Sequence, residues 1–150
     1  MTQDEDLDAI ARSIVDTNRF MALGTADAGG MPWVSPVWYA AATYREFIWV
    51  SRPGTRHSRN LAERPEIAIA IYDSHGPGSW AACYMTGVAG EAVDVDAALA
   101  TFNERSGAQG LRSWSRDEVS EGGEFRLYRA AIDEQFVLDD HDGRRAVDLG

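Results

Sequence analysis

Residues 19–41, "RFMALGTADAGGMPWVSPVWYAA", decide what kind of fold this chain adopts. Two runs of strand-like composition flank Asp27-Ala28-Gly29-Gly30, and glycines supply the positive φ angles that a tight turn requires. The segment therefore predicts an antiparallel β-hairpin. A parallel βαβ sheet is the competing architecture, but it needs crossover helices of about 10–15 residues between its strands, and no regular series of them follows.

Further strands and helices extend outward from this hairpin. Strands are predicted at residues 46–51 (buried on both faces), 66–73 and 80–95, and as one bent strand or a strand pair at 124–141. Helices are predicted where Leu7, Ile10, Ala11, Ile14 and Val15 recur at helical spacing, at residues 55–64 before Pro65, and at 96–106. Six or seven strands with few helices predict a mainly β fold, an antiparallel barrel with appended short helices. We expect one domain over residues 1–150, with an acidic tail at about 1–6 and a polar tail at about 142–150.

The amino-acid composition argues against several classes of partner and location. The chain of 150 residues has a net charge of −10, which argues against nucleic acid or an anionic membrane as the main partner. All 14 basic residues are arginines, and Cys83 is the single cysteine. One cysteine is consistent with a reducing compartment, and the acidic N-terminus does not resemble a signal peptide. We therefore expect a cytoplasmic protein without a membrane segment.

The stretch "SRPGTRHSRN" at residues 51–60 reverses this charge locally. Residues 48–61 contain three arginines and no carboxylate. Thr55 follows a Pro-Gly turn, where a helix N-cap is expected, and the first turn of a helix presents unpaired N–H groups and the positive end of its dipole. With Ser51, Thr55 and Arg56 adding donors, the stretch predicts a phosphate-sized anion site. Arg59 and Arg64 are expected to pair with local acids such as Glu63, whereas Arg52 and Arg56 are not, because the stretch contains no carboxylate.

Four segments together resemble the pyridoxamine 5′-phosphate oxidase-like proteins. They are "GMPWVSPVWYAA" (30–41), "FIWVSRPGTRHSRNL" (47–61), "PEIAIAIYD" (65–73) and "MTGVAGEAV" (85–93). These proteins are flavin-binding split β-barrels, and the deazaflavin-dependent reductases share their fold. The similarity covers roughly residues 7–137. It implies a split β-barrel of six to seven strands that forms a homodimer, with a cofactor held at each end of the subunit interface.

The resemblance also implies which residues hold the cofactor. Val34, Ser35, Pro36, Val37 and Trp38 match the strand beside the flavin ring, and Val50 and Ser51 match the next strand's contact. The phosphate is expected at Thr55, Arg56 and His57. The longer anionic tail of coenzyme F420 would extend along Arg52 and Arg59. Because they flank loops, Trp80, Tyr84 and Trp114 are the aromatic residues that we expect to reach the partner subunit's cofactor.

The sequence departs from the family pattern at two positions. His57 replaces the usual lysine, and Trp33 or Val34 stands where the true oxidases carry arginine. The tryptophan and arginine segment near the end of those oxidases is not recognisable either. We therefore expect a flavin-type cofactor without vitamin B6 chemistry.

The expected function is an FMN-dependent oxidoreductase acting on a small molecule. A coenzyme F420-dependent reductase is the nearest alternative, followed by a non-catalytic flavin or haem carrier. No acid–base residue is predicted, and Ser58 beside His57 does not make a nucleophile–base pair. No metal site is expected, because residues 139–142, "DDHD", fit an acidic turn. The substrate pocket is expected in loops 75–80 and 107–123.

Overall fold

The computed structural model describes residues 3–75 and 81–150, with three helices and an eight-stranded antiparallel sheet. The helices are α1 (Gln3–Thr17), α2 (Arg56–Glu63) and α3 (Val95–Ala108). The strands are β1 (Phe20–Ala26), β2 (Pro32–Trp38), β3 (Ala40–Thr43), β4 (Glu46–Ser51), β5 (Glu66–Tyr72), β6 (Ala82–Glu91), β7 (Arg126–Leu138) and β8 (Arg144–Ala146). The predicted mainly β architecture is confirmed.

The sheet curls into a half-barrel. Its strand order is β2-β1-β5-β6-β7-β4-β3, with β8 paired to β7, and β2 comes back into contact with β4. The predicted hairpin joins β1 to β2 over a seven-pair register from Phe20↔Trp38 to Ala26↔Pro32. Its turn closes where Asp27 Oδ1 accepts the N–H groups of Gly29 and Met31, both at 2.9 Å, and Gly30 has a φ of 88°.

The core lies on both sides of β4, as the apolar run 46–51 predicts. Phe47 and Trp49 point into the main cluster, which β1, β5, β6, β7 and α1 also line. Ile48 points the other way, into a smaller cluster that α3 covers with Ala98 and Phe102. The alternation of side chains along a strand explains this division. The strand is therefore covered on both faces.

Three expectations need correction. The described residues form eight strands, because the run 32–43 divides at Tyr39 into β2 and β3, and a short β8 follows β7. Most of the expected acidic tail belongs to α1, which begins at Gln3. The expected polar tail contains β8 and buried Leu149, whose N–H donates to Gln135 Oε1 at 3.1 Å and whose carbonyl accepts from Arg12 at 3.4 Å. Backbone pairing and one apolar side chain hold this segment against the core.

The other predicted elements lie close to their expected positions. The segment 124–141 forms one long strand, β7, and its pairing with β6 shifts register between Thr86 and Gly87. Residues 109–125 form no helix or strand. Within the described ranges, no helix is both long and apolar enough to cross a lipid bilayer.

Candidate functional site

The start of α2 has the geometry that the sequence predicts. Thr55 is the N-cap, with extended backbone angles, and its hydroxyl accepts the N–H of Ser58 at 3.3 Å. The first intrahelical bond runs from Arg59 N–H to the Thr55 carbonyl at 3.0 Å, so the N–H groups of Arg56 and His57 precede the helical ladder. This end of the helix can therefore donate to an anion.

The inner face of α2 is polar, although it is buried. His57 Nε2 lies 2.8 Å from Ser51 Oγ, and Asn60 Nδ2 donates to Thr25 Oγ1 at 3.1 Å. Thr55 Oγ1 lies 2.7 Å from Ser58 Oγ. All of these groups except Thr55 are buried. Since buried polar groups are stable only when they are hydrogen-bonded, this network fixes how the helix sits on the barrel end.

His57 is the residue whose placement differs most from expectation. Its side chain turns into the barrel with only 8% of the residue exposed, rather than reaching outward as a phosphate ligand. Burial lowers the pKa of His57 below its ordinary value, because a desolvated imidazolium is unfavourable. The ring is therefore neutral at pH 7. The Ser51–His57 pair does not form a catalytic dyad, since both residues are buried and no carboxylate of the described chain bonds the ring.

The four arginines of the basic region have different surroundings. Arg56 stacks over the ring of Trp33, 4.2 Å from its centroid, and makes no ion pair with any described residue. Arg52 pairs with Glu124 at 3.1 Å, which corrects the expectation that it has no acidic partner. Arg64 donates to the carbonyl of Ala28 at 2.9 Å, and not to a local acid. Arg59 lines a shallow cavity of about 650 Å³ that also contains Arg56, Asp27 and Glu63.

We use the term anion cradle for Ser51, Thr55, Arg56, His57 and the N–H groups that begin α2. It brings together one arginine that has no ion pair among the described residues, two hydroxyl groups and a helix N-terminus. These are the donors that bind phosphate in proteins. The site therefore fits an anionic group of that size.

An exposed sheet surface lies on the side of β2 opposite Trp33, which supports Arg56 of the cradle. Cross-strand pairing places eight small or apolar residues on the side of the sheet opposite the main core, and we call them the outer face: Ala22, Gly24, Val34, Pro36, Ala68, Ala70, Tyr84 and Thr86. Val34 is 63% exposed. At one end, Phe20 (59% exposed), Tyr72 and Pro36 line a cavity of about 580 Å³, together with the charged residues Arg19 and Asp73. An exposed apolar surface of this kind indicates a binding site or an interface.

The residues predicted to lie along a flavin ring divide between two sides of the sheet. Val34 and Pro36 belong to the outer face, whereas Ser35 and Val37 alternate toward the core. Trp38 packs edge-on against Phe102 and donates to Gln109 Oε1 at 3.0 Å. Val50 packs against the smaller core cluster. The side chains of Val37, Trp38 and Val50 are thus committed to packing within the chain.

The predicted aromatic residues also divide. Tyr84 lies on the outer face with the Arg144 guanidinium 5.5 Å from its ring centroid. Trp114 packs within the chain, edge-on against Phe125. Trp80 lies outside the described residues, as does most of loop 75–80. The acidic turn forms as expected, since Asp139 Oδ1 accepts the N–H groups of His141 and Gly143, which lower the pKa of that carboxyl.

Two exposed aromatic residues, Phe20 and Tyr72, were not among the predicted site residues. A signal for them is present in "FMALGTA" and "EIAIAIY", where, apart from Glu66 and Thr25, apolar or small residues occupy both alternating sets of positions. This pattern is typical of strands that are covered on both faces, whereas the face that carries Phe20 and Tyr72 is exposed in the single chain. In this chain one of those faces is the outer face.

Comparison with known proteins identifies the class. The family model described as pyridoxamine 5′-phosphate oxidase matches residues 7–138. The chain therefore belongs to the pyridoxamine 5′-phosphate oxidase family, which confirms the resemblance noted in the sequence. No curated protein sequence matches the chain.

Solved structures with the same fold include proteins of several kinds. A haem-binding protein from Mycobacterium smegmatis superposes with a TM-score of 0.73 at 20% identity, covering 94% of this chain and 57% of its own length. The haem storage protein HutZ from Vibrio cholerae gives 0.68 at 21% identity, covering 87% and 94%. An F420 reductase gives 0.62 at 14% identity, covering 83% and 94%. At these identities the comparisons establish the fold alone, so the cofactor must be argued from the site.

Proposed function

We propose that the protein binds FMN at the interface of a homodimer and acts as a flavin-dependent oxidoreductase on a small molecule. The observation that carries the proposal is the position of Arg56. Its guanidinium has no acidic partner among the described residues, and it lies beside the capped start of α2 on the ring of Trp33 in β2. The next residue of β2, Val34, belongs to the outer face. Edge strand β2 therefore joins an anion site to a flat apolar surface.

FMN has the two parts that such a site requires, a phosphate and a flat ring. The phosphate fits the anion cradle, where the Arg56 fork and the first N–H groups of α2 can donate to its oxygens. The ring fits against the β2 edge, where Val34 and Pro36 offer apolar contact. When bound, the flavin supplies the hydride chemistry. This chain's residues hold the phosphate, orient the ring and exclude water from one of its sides.

A second copy of the chain is the proposed cover for the other side. The outer face carries no charge at neutral pH, whereas the whole chain has a net charge of −10. Two copies that meet on these eight residues bring no charged side chain of the face itself together, and the acids Glu66, opposite Val88, and Glu134, 3.4 Å from Thr86 Oγ1, lie at its border. The interface that we propose includes β6, whose Thr86 and Val88 side chains are exposed. The cofactor would lie at the border of this interface, in agreement with what the family resemblance implies.

Coenzyme F420 is a second candidate because of the cavity beside Arg56. That cavity extends along Arg59, for which the described chain supplies no ion-pair partner, so a longer anionic tail has a second cation to meet. Arg52 is less suited to that role than expected, because it pairs with Glu124. FMN remains the first choice, since its single phosphate matches the single cradle.

The test is a set of parallel titrations of the purified protein, followed by absorption and flavin fluorescence. We expect FMN to bind more tightly than riboflavin, which has the same ring without the phosphate. Stronger binding of coenzyme F420 than of FMN would support the second candidate. Preferential binding of haemin, with no flavin binding, would refute the proposal. An FMN-loaded dimer that no reductant can reduce would point to a carrier in place of an enzyme.

A further inference from the structure

His57 occupies an unusual place within the anion cradle. Its Nε2 lies 2.8 Å from Ser51 Oγ and 3.3 Å from Thr55 Oγ1, so two hydroxyl groups meet one ring nitrogen. Both hydroxyl groups belong to residues that we assign to the cradle. A titratable group is thus hydrogen-bonded to the groups that would hold a phosphate.

The elements packed against α2 bring no carboxylate into contact with this ring. Strands β1 and β2 contain no ionisable residue. Strand β6 contributes Cys83, Tyr84 and Glu91, and β7 contributes Tyr128, whose environment includes Glu91 and Arg126. Apart from His57 itself, the ionisable residues of the loop and helix between Ser51 and Ala62 are all arginines, namely Arg52, Arg56 and Arg59. An imidazolium at His57 therefore lacks a counter-ion in the protein itself, and a bound anion would supply one.

Protonation of the ring would also free a donor for the anion. With the proton of the neutral ring on Nδ1, the hydroxyl of Ser51 donates to Nε2. When Nε2 takes a proton from solvent, it donates to Ser51 Oγ instead. The hydroxyl hydrogen of Ser51 is then available to a phosphate oxygen. One proton thus adds a positive charge and turns a hydroxyl toward the ligand.

We propose that the cradle binds a phosphate-bearing cofactor together with one proton, which His57 takes up. This inference rests on the proposed function, because it concerns how the same site holds the phosphate. It makes affinity for the cofactor depend on pH through a single residue. A lysine at this position would stay charged and would give no such dependence.

The direction of the effect follows from the two states of the site. Without ligand, burial keeps the pKa of His57 below its ordinary value, so the ring is neutral near pH 7. A bound phosphate favours the imidazolium and raises that pKa. Affinity is therefore constant above the raised pKa, and it increases as the pH falls between the two values. Because hydrogen bonds to charged groups are strong, we expect FMN to bind about tenfold more tightly at the lower end of this window.

The experiment compares the parent protein with His57→Gln, which keeps a donor and an acceptor at this position but cannot take up a proton. FMN and riboflavin are titrated from about pH 5 to pH 8 by flavin fluorescence. The phosphate of FMN itself titrates at about pH 6, by analogy with phosphorylated side chains, and this titration contributes to the profiles of both proteins. Only the difference between the two FMN profiles reports His57. Calorimetry of the parent in two buffers of different ionisation enthalpy counts the protons taken up.

We expect the parent to gain FMN affinity relative to His57→Gln as the pH falls, with net proton uptake and with riboflavin unaffected. Superimposable FMN profiles would overturn the proton linkage while leaving FMN binding intact. If His57→Gln does not fold, His57→Asn takes its place, and equal proton uptake by the parent and by that variant in the calorimetry overturns the inference. Failure of FMN to bind at any pH would refute the proposed function, and the inference with it.

Discussion

Replacement of Arg56 by alanine tests the anion cradle most directly. Arg56 has no acidic partner among the described residues and lies over the face of Trp33. Arg64, eight positions further along, serves as the matched control. Each change removes one positive charge from the same region, but Arg64 donates to the carbonyl of Ala28 and lies at the C-cap of α2, away from the cradle. The two variants therefore separate a specific contact from a general effect of charge.

The expected loss can be worked out from the contacts that Arg56 exchanges. A hydrogen bond to a charged group contributes about 1.5–3 kcal/mol. A guanidinium that leaves an exposed aromatic ring to reach the phosphate gives up about 0.5–1 kcal/mol. The net contribution is about 0.5–2.5 kcal/mol, with a middle value near 1.5 kcal/mol. We therefore expect Arg56→Ala to weaken FMN binding about tenfold.

The assay is a fluorescence titration with FMN and with riboflavin, at low and at high salt. We expect a large change for FMN with Arg56→Ala, little change with Arg64→Ala, and no effect of either on riboflavin. Arg56→Lys should recover part of the affinity, because it keeps the charge without the planar fork. Equal losses in both alanine variants, abolished by salt, would mean that Arg56 acts only through the overall field, and the cradle assignment would be wrong.

Three other changes test the cap, the titration of His57 and the interface. Thr55→Ala should cost about 1 kcal/mol and lower the melting temperature by about 2–4 °C, while Thr55→Ser should cost little; equal melting temperatures would refute the cap. Because the folded pKa of His57 is lowered, the unfolded chain binds more protons below about pH 6.5, so the free energy of unfolding should fall as the pH drops from 7 toward 5, by no more than about 1.4 kcal/mol per pH unit. Denaturant titrations should show a shallower fall in His57→Gln, and the carboxyls whose pKa is lowered act only at more acidic pH. Val34→Asp should turn a dimer into a monomer in light scattering, whereas Val93→Asp, at a residue 99% exposed but outside the outer face, should not.

Much of the fold can be predicted from the sequence because short-range interactions determine it. The hairpin turn depends on Asp27 and Gly30, which act within a few residues, and the cap at Thr55 depends on the Pro-Gly step before it. The short strand β8 gave no comparable signal, because three polar or small residues pair with β7 only after the chain has folded back. The sequence therefore predicts an element correctly when the residues of that element alone determine its structure.

The surroundings of individual site residues depend on long-range contacts. A segment without acids suggested that Arg52 has no partner, yet the fold brings Glu124 to it across more than 70 positions. The direction of His57 was also hidden, because a residue in the first turn of a helix can face solvent or the core. Ser51, at the end of β4, lies 2.8 Å from Nε2 of the ring, and this hydrogen bond holds His57 toward the core. The sequence thus predicts which side chains of the site can form hydrogen bonds and ion pairs, but not which partners they contact.

The distribution of charge connects the cradle with the outer face. A chain with ten more negative than positive charges repels both a second copy of itself and an anionic ligand at long range. Binding either of them requires a local exception. The outer face provides the first exception, because its eight residues are uncharged at neutral pH, and the cradle provides the second with Arg56 and the start of α2. Edge strand β2 carries both, since Trp33 supports Arg56 and Val34 belongs to the outer face. A substitution that places an acid on β2 should therefore weaken dimer formation and cofactor binding together.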